Sequence, residues 1–500
     1  MKRIYSILFL VCSFNFLSAE KIFDFNKECQ QAYQEILKLK LQSGQQLIDL
    51  EKKKHPDNLI PHLLENYIDF FTLFFNEDPA EYTKRMRNLD KRLSLLSDGP
   101  ENSPYYLFSA ATVHFQWAVI KIKFGHNWDA GWEFRRSFVQ VKDNAKKFPD
   151  FLPNQMYRGA MQVAAGTIPE GYRWLSNMMG IRGSIQSGMK ELRIFLQSPD
   201  PAAMLYRDEG IFYYCYLSYY IENDKEGVLD YVRNQKLDLV NNHLFAYLAA
   251  NLSTHNQQAE VALEILDKRS AEPGYFQSPV WDLEKGYILL YKGSPEALTY
   301  LERFAATFKG KFYMKDALQK ISWLYYMKGD QAKADRTRQL ILTKGNTDSE
   351  ADKQAQQEAN TKVWPNKLLL QARLFNDGGY HREALRLLHG KSAGDFREPQ
   401  EKLEFNYRAG RIYDDLDRDN EAINFYKLAF RQGKNRQEYF AARAALQIGF
   451  ILEKQQKFQE ALTWFRACIT MKDHDYKNGI DQRAKAGIDR CEVALEDGEK

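Results

Sequence analysis

Residues 408–430, RAGRIYDDLDRDNEAINFYKLAF, and 447–469, QIGFILEKQQKFQEALTWFRACI, decide the fold, because they are one pattern written twice, 39 residues apart. Gly410, Tyr413, Glu421, Ala422, Tyr426 and Ala429 of the first stretch take the same places as Gly449, Leu452, Glu460, Ala461, Phe465 and Cys468 of the second. In each, a small residue is followed twelve positions later by another, with a polar turn between them. That spacing predicts two helices joined by a short turn and crossing closely where side chains are smallest. Apolar residues recur with helical spacing over nearly all of residues 20–500, and hairpin dipeptides flanked by alternating residues are few, so an all-α chain is expected.

The two stretches resemble the tetratricopeptide repeat, whose small residues at its eighth and twentieth positions carry the close crossing. They depart from it where the usual early Trp is Asn406 or Ala445, and where the usual late Pro is Lys434 or Asp473. Further copies precede them: Ser322, Tyr325, Gly329 and Ala334; Ala372, Phe375, Gly379, Glu383 and Ala384; Gly286 to Phe304; and the pair Ala250 with Ala262. Ala118 and Ala130, followed by Phe134 and Ser137, mark a degenerate copy. The resemblance implies an antiparallel helix-hairpin solenoid, which needs about three units to bury a shared interior.

The expected organisation is a leader at 1–19, a helical region with degenerate repeats at 20–200, central repeats at 201–342, a polar inserted helix at 343–363 and C-terminal repeats at 364–500. Lys2 and Arg3 precede an apolar run from Ile4 to Leu17 and small residues Ser18 and Ala19, which reads as a secretory signal cleaved before Glu20. The mature chain is therefore expected in the periplasm or outside the cell, with possible outer-membrane association and no integral span. Bulky Val11 before Cys12 argues against lipid attachment. In the insert, Thr347 and Glu350 form a capping-box pattern and Ala351, Ala355 and Ala359 give a narrow apolar edge, so an exposed helix is expected. Cys468 and Cys491 either meet as a disulfide or remain buried thiols. Residues 169–195 also resemble part of a eukaryotic family of mitochondrial outer-membrane tetratricopeptide proteins implicated in clearing protein inclusions.

The 500 residues are 44% hydrophobic, 27% charged and 14% aromatic, enough to bury a sizeable core. A formal charge of +4 gives no electrostatic case for nucleic acid. Gly390-Lys391-Ser392 has Leu385 where a phosphate loop needs its first Gly. No HExxH or i, i+4 His pair is present; His381 and His389 lie eight apart, about 12 Å along a helix, too far for one ion. No nucleophile motif appears, so neither catalytic residue, metal nor cofactor is assigned.

The leading expectation is a non-enzymatic adaptor that holds a protein or peptide in a concave groove. Register with the repeat family points Trp323, Tyr326, Asn366, Arg373, Asn376, Tyr407, Arg411, Asp414, Arg443 and Phe450 inward. Arg and Asn suit peptide backbone and carboxylates, and aromatic faces supply apolar contact. The alternatives are a helical glycan-binding protein of the cell envelope and a helical-toroid hydrolase, whose paired carboxylates spacing alone does not select.

Overall fold

The computed structural model describes residues 20–167, 180–181, 183–361 and 363–498. The expected leader, Cys12 and much of the 169–195 segment lie outside them. Among the described residues there is no strand, only one isolated parallel bridge between Ile22 and Asn58. The all-α solenoid expectation holds.

The chain divides into two compact units, residues 1–224 with 271–276, and residues 225–270 with 277–500. The first extends past the expected boundary at 200, and its chemistry gives the reason. Helix Arg207–Leu217 carries Glu209, whose carboxylate is buried without a cationic partner and accepts four phenol hydroxyls. Tyr33 (2.6 Å) and Tyr67 (2.8 Å) donate to Oε2, and Tyr157 (2.7 Å) and Tyr213 (2.9 Å) to Oε1. Burial raises its pKa, and the four hydroxyls oppose that rise by solvating the anion. Cutting the chain at 200 would remove the acceptor these tyrosines share.

The second unit is a run of hairpins. Pro399–Asp414 pairs with Asp419–Gly433, and Phe440–Lys454 with Phe458–Thr470, each pair crossing at its small residues. A Cβ on Gly410 would lie 2.7 Å from Tyr426 Cδ1, and one on Gly449 2.4 Å from Phe465 Cε1, so only glycine admits these rings. Ala422, Ala461, Ala372, Ala384, Ala250, Ala262 and Ala334 are all fully buried, as the spacing predicts. Each interior is completed by the next hairpin: the last cluster runs from Leu403 through Phe465 to Cys491 on the closing helix Lys477–Gly498.

Two expectations need correction. The inserted helix Glu350–Thr361 is not an exposed appendage: Asp352 and Ala355 are fully buried, and Asp352 accepts the backbone N–H groups of Tyr313 (2.8 Å) and Asp316 (3.0 Å). Its cap is Ser349, whose Oγ accepts from Asp352 N (3.0 Å), rather than Thr347 with Glu350. The array is also not strictly nearest-neighbour. Gln257, in the turn after His243–His255, donates to Asn376 O (3.2 Å) and to Asp415 Oδ2 (3.0 Å), while Ala259 N donates to Gly378 O (3.2 Å). The hairpins therefore curl until early and late turns touch. Gly379, at φ +89°, permits the approach, because a Cβ there would sit 1.9 Å from Gln257 O.

The four described cysteines are free and buried, so the thiol alternative describes Cys468 and Cys491. No described helix is long and apolar enough to cross a membrane, and no described cluster of His, Cys, Asp and Glu has the makings of a metal site.

Candidate partner-binding face

Helices Lys367–Asp377 and Pro399–Asp414 run side by side and place Arg373, Asp377, Arg411 and Asp415 together. Arg411 Nη1 donates to Asp377 Oδ1 (2.5 Å), and Arg373 Nε to Asp377 Oδ2 (3.4 Å). Asn376 Nδ2 donates to Asp415 Oδ2 (2.6 Å), and Arg411 Nε lies 3.9 Å from the same oxygen. Burial opposes ionisation of Asp377, but Arg411, Arg373 and Arg408 outweigh it and hold its pKa below the usual carboxylate value. Burial likewise works against the charge on Arg373 and Arg411, and Asp377 more than restores it. Yet Arg373 and Arg411 keep 31% and 27% of their side-chain exposure. Strong desolvation with residual exposure describes side chains deep in a recess that water still enters. With that much exposure, this is a wet ionic lattice, not a dry core pair.

The neighbouring surface is aromatic and cationic. Tyr326 stacks on Trp364 at 4.6 Å, with Lys367 Nζ 4.6 Å from the Tyr326 ring. Arg373 lies 5.4 Å from Trp323, and Arg483 lies 5.3 Å from Phe450. Burial lowers the pKa of Lys225, and Arg483, Arg411 and Arg443 lower it further, so these four cations share one field. Burial, then Arg443, lowers that of Arg483 as well. No carboxylate among the described residues forms an ion pair with Arg443 or Arg483. Asp414 is pushed up to about 6 by burial and Asp415, against hydrogen bonds from Tyr426 (3.0 Å) and Gln447 (3.2 Å).

Of the ten residues read as inward-facing, the structure joins Arg373, Asn376 and Arg411 in one network, with Asp414 beside it at the end of the helix that carries Arg411. Trp323, Asn376 and Tyr407 are buried, at 1%, 2% and 4% exposure, so they support the face from beneath. Trp323 Nε1 is spent on Glu358 (2.6 Å), and Tyr407 packs on Phe440 at 5.2 Å. Asn366 is the N-cap of its helix, accepting from Leu368 N (3.0 Å) and donating to Glu401 (3.1 Å). Tyr326, Arg443 and Phe450 remain half-exposed. Sequence reasoning placed Asp415 with Asp414 on the inner helix only as a solvated acidic pair, and it missed Asp377, although each of Asp377 and Asp415 stands four residues after an arginine, the spacing of a helical ion pair. It also missed Arg483, which lies beyond the last repeat and so has no register to betray it.

The tetratricopeptide repeat profile matches residues 403–431 and 442–475, the two hairpins that end the face. A search of curated proteins returns no match. Among solved structures, the crystal structure of the P58(IPK) TPR domain is 14% identical and aligns over 84% of this chain and 97% of that one, with a TM-score of 0.23.

Proposed function

We propose, from the premise that this chain is a tetratricopeptide-repeat protein, that its second unit is a protein-interaction scaffold. Its inner face would hold an extended peptide or partner helix. The observation that carries the reading is the continuous strip from Tyr326 and Trp364 through Arg373, Asp377 and Arg411 to Arg443, Phe450 and Arg483, contributed by successive hairpins. Aromatic rings there offer apolar contact, and guanidinium groups offer paired donors to backbone carbonyls and carboxylates. The unmatched charge at Arg443 and Arg483 favours an acidic partner. Scaffolding, rather than catalysis, is the reading these features support, and export of the mature chain from Glu20 belongs to the same proposal.

Charge reversal at Arg373 and Arg411 would strip Asp377 of its counter-ions and endanger the fold. The better test reverses Arg443 and Arg483, which no described carboxylate pairs. Crosslinking and affinity purification should recover partners with the native chain and lose most of them with the folded Arg443→Glu, Arg483→Glu variant. Equal recovery by both would refute the groove assignment.

A further inference from the structure

Helices Leu41–Lys54, Ile60–Asn76 and Pro79–Ser97 of the first unit enclose a cavity of about 310 Å³. Its charged lining is Lys52, Arg85, Lys91 and Arg92 against Glu65 and Asp69, with His62 beside them. Asp69 is saturated: it accepts from Arg85, Arg92 and, at 3.0 Å, Asn88. Glu65 accepts from Lys52 (2.8 Å) and His62 (3.3 Å), which overcome burial and hold its pKa down to about 2. The lining therefore holds four permanent cations against two carboxylates, an excess of positive side chains even though Lys52, Arg85 and Arg92 each touch an acid. Glu81, outside the lining, also accepts from Arg85 Nε (2.8 Å), so Arg85 spans two carboxylates and Lys91 is the lining cation that forms no ion pair with a described carboxylate.

Unused donors accompany this excess. Arg85 Nη2, and Nε and Nη2 of Arg92, have no acceptor among the described residues, while Arg92 spends Nη1 on Asn66 (3.3 Å) and Asp69. Lys91 is exposed at the rim and forms no ion pair with a described carboxylate. Two guanidinium groups and two ammonium groups converging on one polar recess suit a tetrahedral dianion, whose several oxygens accept paired donors from more than one side. The volume lies near the lower end of the range for small-molecule sites, roughly 300–1,000 Å³.

We propose that this cavity binds a small phosphate-bearing anion, held by Arg85, Arg92, Lys52 and Lys91. The site belongs to the first unit alone and stands independently of the groove reading. A phosphate monoester is drawn by the positive excess of the lining and offers several oxygens to the donors that Arg85 and Arg92 leave unused. Asp69 and Glu65 act as positioning residues, keeping the cationic side chains extended toward the recess.

Calorimetric titration of the full chain at low salt, first with inorganic phosphate and then with glycerol phosphate, tests this. One saturable site per chain is expected. Lys91→Glu should weaken it by about tenfold or more, since it replaces an attracting charge with a repelling one at the rim. Lys53→Glu, an exposed reversal on helix Leu41–Lys54 but outside the lining, should leave it unchanged. Thermal unfolding checks that both variants are folded. No saturable heat at millimolar phosphate, or equal affinity in the native and Lys91→Glu chains, overturns the proposal. Sedimentation with phosphatidate vesicles separates the two sources of such a group. Lys91-dependent sedimentation places the phosphate on a lipid headgroup, and soluble binding without sedimentation places it on a free metabolite.

Discussion

Gly449→Ala should destabilise the second unit, although the same change usually strengthens a helix. The added methyl would lie 2.4, 2.5 and 2.9 Å from Cε1, Cδ1 and Cζ of Phe465, a ring with no exposure. Retreat is blocked, because a Cβ on Gly487 would meet the same ring from the other side at 2.6 Å. Overpacking of this kind costs about 1–3 kcal/mol. Removing glycine from a helix interior returns up to about 1 kcal/mol. With retreat blocked the cost lies in the upper part of that range, about 2–3 kcal/mol, so the net loss is about 1–2 kcal/mol, or a fall of roughly 2–8 °C in Tm for a unit of this size. Gly479→Ala is the control: no atom lies within 4 Å of its Cβ position and the site is exposed, so a gain of up to about 1 kcal/mol is expected. Urea unfolding measures both, with hydrogen exchange over residues 440–498 alongside, because repeat arrays need not unfold in one step. Adding Phe465→Leu to Gly449→Ala should relieve the clash, giving a coupling energy of about 0.5 kcal/mol or more in the double-mutant cycle. A Gly449→Ala chain as stable as the native one would refute the wedge.

Glu284 is buried, and desolvation raises its pKa to about 7 against one hydrogen bond from Asn251 (2.9 Å). A raised folded-state pKa means that its stabilising effect is complete below its unfolded value, near 4.5, and is lost as pH rises through about 7. Glu284→Gln keeps the acceptor for Asn251 and should raise stability at pH 8 by an amount on the order of 3 kcal/mol, while changing little at pH 4. Urea midpoints at the two pH values decide this, and an equal effect at both would count against it. The export proposal is checked by intact mass: the mature chain from its native host should begin at Glu20, and a retained Met1 would sink it.

The repeat crossings were legible in the sequence because the Gly-to-Ala spacing is a local property of two helices and their turn. Depth was not. Register identifies the helix face to which Trp323 and Tyr407 belong, yet Glu358 and Phe440 decide that both are covered. Asn366 had a readable local role, a cap before Lys367, that the groove reading passed over. The contact of Gln257 with Asp415 spans 158 positions and depends on accumulated rotation from hairpin to hairpin, a quantity no short motif states. The anion cavity escaped notice for a similar reason: its four cations sit on two helices whose meeting is a tertiary fact.

The phenol quartet around Glu209 gives the first unit an indivisibility that the second lacks. Its hydroxyls come from positions 33, 67, 157 and 213, so nearly the whole unit must be synthesised before the anion is solvated. A nascent or truncated chain that stops short of Glu209 would leave the buried hydroxyls of Tyr33, Tyr67 and Tyr157 without their shared carboxylate, with only the 3.0 Å bond between Tyr67 and Tyr157 remaining, and each donor left unsatisfied costs about 1–3 kcal/mol. The hairpins that follow Asp415, by contrast, pack mainly on their neighbours, so shortening from the end bares one interior at a time until the contact of Gln257 with Asp415 is reached. Domain trimming for expression should therefore keep the tyrosines and Glu209 together at one end, and at the other cut only between whole hairpins and after Asp415.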